Sequence, residues 1–120
     1  MPPTSRAALP APEVPILKDP DHEAAVFKTL PEGRASIVGA LDFWTVSALL
    51  PLGSEAIRAG GTSAIDLAGI TASDSAGLAL LIEWLSVARA AGRALRFENI
   101  PSQLHQLAGL SDVDELIAAP

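Results

Sequence analysis

An α/β fold with a mixed, mostly parallel sheet is predicted by three observations. Short β-branched segments alternate with longer apolar segments of helical period, glycines punctuate the ends of those helical segments, and 120 residues with 49% hydrophobic and 18% charged content suit one domain with a real core. The expected layout is a single domain over residues 23–120, with about four strands and about four helices, behind an N-terminal arm over 1–22. A formal charge of −6 with only eight basic residues argues against a nucleic-acid surface and against a direct grip on anionic lipid. The chain has no cysteine, so it forms no disulfide and offers no thiolate to a metal or a substrate.

The arm is predicted from Pro2, Pro3, Pro10, Pro12, Pro15 and Pro20, each of which removes a backbone donor and fixes φ, so the segment reads as extended or disordered. Arg6 is followed by an apolar stretch that Pro10 cuts short, which does not make a secretory signal. No run approaches the roughly 18 apolar residues of a membrane span, and a cytoplasmic location is expected.

Residues 25–30 and 34–39 read as two strands joined by a tight turn at Pro31, Glu32 and Gly33. Asp42 is expected to cap a first helix over about 43–59, with Val46, Leu49, Leu50 and Ile57 inward and a kink or break at Pro51; Gly60 and Gly61 stop it. Residues 62–67 read as the third strand, 75–91 as the second helix with Gly92 as its stop, and 94–98 as the fourth strand. The β-α-β-α-β order implies right-handed crossovers and a parallel core with the opening hairpin at its edge. A helix over about 100–109, with Pro101 in its first turn, and another over 112–118 close the domain.

The second helix carries two apolar sides. Leu78, Leu81, Ile82, Leu85 and Ala88 form the stripe expected against the sheet, while Ala76, Leu80, Trp84, Val87 and Ala91 form another. One reading of the second side is a wider core shared with the first helix. The other is a protein-docking face anchored by Trp84, which begins at the Ser/Asp-rich turn where a strand end meets a helix N-terminus.

Gly39 to Asp42, the Leu49 to Leu52 segment with its proline, Ile65 to Leu67, the Asp74 to Leu81 turn and helix start, Ala91 with Gly92, and Leu104 to Leu110 together resemble a STAS domain over residues 36–117. That is the fold of bacterial anti-anti-sigma factors, and within the group the chain is most similar to the small STAS subunit of the Mla phospholipid (lipid asymmetry) ABC transport complex. The resemblance implies a non-catalytic cytoplasmic accessory subunit that binds the ATPase subunit of that transporter, supports its assembly or activity, and reaches the inner membrane only through it. It implies no cofactor and no small-molecule substrate. In phosphorylated anti-anti-sigma relatives the acceptor is the second hydroxyl residue of the turn, a position held here by Ala76, whereas Ser75 keeps a hydroxyl one position earlier. This departure favours constitutive docking, and the alternative is a regulatory switch that binds an anti-sigma kinase and is phosphorylated at Ser75.

The partner-binding residues expected on this reading are Ser75, Ala76, Gly77, Leu80, Trp84 and Val87. Ser75 is also read as a turn residue that caps backbone N–H groups, and Asp74 as a cap or turn former. His22 and His105 have no second ligand at metal spacing, so no metal site is expected. Asp66 and Asp74 flank the turn without a base, nucleophile or glycine-rich phosphate loop beside them, and the acids from Asp112 to Glu115 suit the start of the last helix.

Overall fold

The computed structural model describes residues 24–118, and the proline-rich arm and His22 lie outside them. Four strands, β1 (Ala25–Thr29), β2 (Arg34–Leu41), β3 (Ala64–Ser73) and β4 (Arg96–Glu98), form one sheet in the order β1-β2-β3-β4. β1 pairs antiparallel with β2, while β2, β3 and β4 run parallel. The β1–β2 connection turns at Glu32 and Gly33, both at positive φ (64° and 76°), so the predicted tight turn is a left-handed one.

Four helices accompany the sheet: α1 (Val46–Arg58), α2 (Ser75–Ala90), α3 (Ser102–Leu110) and α4 (Asp114–Ala118). Inward side chains of the strands, among them Ile37, Ile65, Leu67 and Phe97, join Leu49, Ile57, Leu81, Leu104 and Ile117 of the helices in one core cluster. The opposite face of the sheet is open and sets charged residues beside the exposed, paired Val26 and Val38. Arg34 and Arg96 both pair with Glu98 there (2.8 and 2.9 Å), and Asp66 accepts from the Asn99 amide at 2.9 Å.

Expectations for three elements are corrected. β3 extends to Ser73, well beyond Leu67, because Gly69 to Ser73 continue the parallel pairing with β2 through two register shifts. Helix α1 starts at Val46 rather than near Phe43, since Asp42 does not cap it: its carboxylate accepts from Trp44 N at 2.9 Å, and its backbone N–H donates to the Thr45 hydroxyl at 3.1 Å. Residues 42–45 are thereby held as a turn. The helix then runs through Pro51 without a break.

The third correction concerns α2. Trp84 is 0% and Leu80 4% exposed, and Val87 is buried with them, so this side is interior and not an open docking face. Its neighbour is α1. A Cβ at Gly53 would overlap the Trp84 indole, the indole N–H donates to the Leu50 carbonyl at 3.2 Å, and the ring lies 5.8 Å from that of Phe27 in β1. Burying a tryptophan removes roughly 150–250 Å² from water, worth on the order of 4–6 kcal/mol before opposing costs. The wider-core reading is the correct one for Leu80 and Trp84.

Two outcomes follow for stability. Gly53→Ala forces a methyl group into the indole and is expected to lower the urea unfolding free energy by about 1–3 kcal/mol, and Trp84→Ala by about 3–5 kcal/mol. Equal urea midpoints for wild type and both variants would refute this packing. For Asp66, the Asn99 amide first, then the Ala68 backbone N–H and the Arg34 charge hold the carboxyl below its ordinary value against a small desolvation effect. A depressed folded pKa means that the contribution is present above the unfolded value and is lost as pH falls through the folded one. Asn99→Gly tolerates the positive φ of 56° at this position and removes the amide, so the Asp66 pKa is expected to rise in a carboxyl-carbon NMR titration.

Candidate interaction site

β2 and β3 end side by side, with Leu41 opposite Ser73, and α2 begins immediately after Asp74. Asp74 adopts the extended backbone of an N-cap, and its Oδ1 accepts from Ala76 N at 2.9 Å and Gly77 N at 3.3 Å. The cap expected of Ser75 is therefore made by Asp74. Its other oxygen, Oδ2, accepts from Phe43 N at 3.3 Å, which ties the β2–α1 turn to the start of α2. One carboxylate thus serves three N–H groups from two elements.

Gly77 has a packing reason for its identity. A Cβ there would overlap the Leu41 carbonyl oxygen and crowd the Ser73 hydroxyl, so only glycine lets the first turn of α2 rest on the ends of β2 and β3. Ser73 N donates to Gln103 Oε1 at 3.0 Å, which fixes the start of α3 to the same end of the sheet. The Thr45 hydroxyl donates to the Ala40 carbonyl at 2.9 Å and anchors the far side of the turn.

On this scaffold the expected site residues divide. Ser75 is exposed and Ala76 half-exposed, whereas Gly77, Leu80, Trp84 and Val87 are buried. Val87 borders an open depression of about 350 Å³ with Arg58, Glu83 and Ser86. Asp66 and Asp74 share no partner: the first bonds Asn99 and Ala68 on the sheet face, the second caps α2. His105 is an exposed residue of α3.

Beside Ser75 the structure places two aromatic residues that the sequence reading left out of the site. Phe43 is 70% and Trp44 40% exposed, and their rings meet edge to face, 5.6 Å apart at 82°. The Asp74 bond to Phe43 N and the Asp42 bond to Trp44 N fix the backbone beneath both rings. The signal in the sequence was a pair of adjacent aromatics in a chain with only 4% aromatic residues, next to an aspartate able to form a turn. An exposed tryptophan on a fixed turn next to a helix N-terminus suits contact with another polypeptide.

The architecture has solved counterparts. The anti-sigma factor antagonist SpoIIAA in its unphosphorylated form is similar with a TM-score of 0.57 at 18% identity, covering 72% of this chain and 82% of that one. The Bacillus cell fate determinant SpoIIAA in the phosphorylated form gives the same TM-score at 19% identity over the same shares. Murine Slc26a9, an anion transporter in the inward-facing state, gives 0.51 at 13% identity over 78% of this chain and only 19% of its own. These likenesses concern the fold. No curated protein sequence matches the chain. The family model described as "Mlab, STAS domain" matches residues 26–118, nearly all of the described residues, and the chain therefore belongs to this STAS domain family.

Proposed function

We propose that the chain is a non-catalytic accessory subunit that binds the ATPase subunit of a phospholipid-transport ABC complex and supports its assembly or activity. It is held at the inner membrane through that complex. The observation that carries the docking surface is the exposed Phe43–Trp44 pair, which Asp74 pins to the start of α2 beside Ser75 and Ala76. The transporter as partner is supported by membership in the Mlab family and by the resemblance of the Asp74 to Leu81 element.

The physical logic is that of a preorganised hot spot. A tryptophan whose backbone is already fixed loses little freedom on binding and offers a large apolar ring with a polar edge. Ser75 and Ala76 are short, so a partner can approach the first turn of α2 closely. Among the described residues no helix is long and apolar enough to cross a membrane, in keeping with association through a partner.

The alternative, a switch that answers an anti-sigma kinase, would act through the exposed Ser75 hydroxyl. A phosphate of about −1.5 to −2 charge there suits a helix N-terminus while opposing an apolar contact. Stoichiometric phosphorylation of Ser75 by a bacterial serine kinase, read by intact mass, would favour that reading over the transporter.

In a pull-down with the ATPase subunit, Trp44→Ala is expected to weaken binding about 30-fold or more, the equivalent of roughly 2 kcal/mol, in a variant that still unfolds cooperatively in urea. Ser75→Glu is expected to weaken it in the same direction, because its carboxylate enters an apolar contact while suiting the helix dipole. Wild-type affinity in both variants would remove this surface.

A further inference from the structure

The docking surface lies close to the point where the described chain begins. Ala25 pairs with Gly39, and Gly39 has φ 116°; a Cβ there would overlap the Ala24 carbonyl oxygen. The backbone that enters β1 is therefore pressed against β2 at Gly39. From Gly39 to Phe43 is four residues, about 13 Å at the strand rise of roughly 3.3 Å per residue.

The segment that precedes this entry point is suited to the aromatic pair by composition. It carries Pro10, Pro12 and Pro15 followed by Ile16 and Leu17, and six residues separate Leu17 from Ala24. Six residues span up to about 20 Å, enough to bring Leu17 to the aromatic turn. Proline-rich chain is a common ligand of exposed aromatic side chains, because its rings present apolar faces and its restricted backbone has little entropy to lose. Phe43 and Trp44, set edge to face, offer a ring face and a ring edge at the surface that such a ligand needs.

We propose that residues 10–17 dock on the Phe43–Trp44 surface when no partner is bound, so that the chain's own proline-rich segment competes with the partner for one site. This inference rests on the docking reading given above for the identity of the surface. A short tether gives a local concentration of about millimolar, so a contact too weak to form between separate molecules occupies the site here. The partner's apparent affinity is then reduced in proportion to the fraction of molecules in the open state.

The two tryptophans make the test direct, since Trp84 is 0% and Trp44 40% exposed and acrylamide quenching of the folded chain reports on Trp44. The full-length double variant Ile16→Asp, Leu17→Asp alters only residues outside the described domain. It is expected to raise both the quenching constant and the affinity for the ATPase subunit by about three- to tenfold, matching a site covered most of the time. In a Trp44→Phe background the quenching difference should vanish. Unchanged quenching overturns the proposal, as does raised quenching with unchanged partner affinity. Quenching needs no partner, so its result stands apart from the pull-down that tests the docking surface.

Discussion

The indole of Trp84, seated in the notch left by Gly53, is the contact on which the helical layer depends. It joins three elements: α2 carries it, α1 supplies the glycine notch and the Leu50 carbonyl that accepts its N–H, and β1 brings Phe27 to its ring. The sheet gathers its core with the helices on one face, so α2 lies between other helices and not at the rim of the layer. A helix in that position buries two sides. Its second apolar side therefore reflects the one-sided architecture, and the indole N–H placed within it needs an acceptor, which Leu50 supplies.

The helical layer fixes the geometry of the β3–α2 junction. Asp74 sits where the sheet ends and α2 begins, and its two oxygens divide between capping that helix and restraining the turn after β2. Gly77 lets the same helix rest directly on the strand ends. Phe43 and Trp44 thus ride on a backbone fixed from below, while their rings remain outside. The open face of the sheet is different in character: its ion pairs and the Asp66–Asn99 bond are partly exposed, and such pairs contribute little to stability, about 0–1 kcal/mol each. Those charges keep much of the face solvated, which leaves the end of the sheet as the place where exposed aromatic surface is concentrated.

Much of this was legible in the sequence, and the failures have physical causes. The hairpin at Glu32 and Gly33, the parallel order and the extent of α2 follow from period, glycine placement and crossover handedness. The extension of β3 was not legible, because Ala68, Gly69 and Ala72 are small and have weak strand propensity; pairing with β2 decides their conformation. The start of α1 was misplaced because an aspartate before an apolar run reads equally as a helix cap or as a turn former. The Thr45 hydroxyl, which accepts from Asp42 N and donates to the Ala40 carbonyl, and the Asp42 carboxylate, which accepts from Trp44 N, make it a turn. The burial of Leu80 and Trp84 depends on which neighbour lies beside α2, and helical periodicity carries no information about that.

The two tryptophans show what separates a core residue from an exposed one, the reverse of a sequence reading that made Trp84 the docking anchor and left Trp44 out. Trp84 stands mid-helix, where a neighbouring helix closes over it and a main-chain carbonyl takes its N–H. Trp44 stands in a turn whose backbone N–H groups are claimed by Asp42 and Asp74, so the main chain is held while the side chain stays 40% exposed. Restraint of the backbone with exposure of the side chain is the combination that lowers the ordering cost of association without spending the apolar surface on folding. That division puts the exposed aromatic surface at the carboxyl end of the parallel strands, where the chain must leave the sheet and helix N-termini converge. A phosphate added to an exposed hydroxyl at that end, such as that of Ser75, would change the surface charge while suiting the helix N-terminus beneath it.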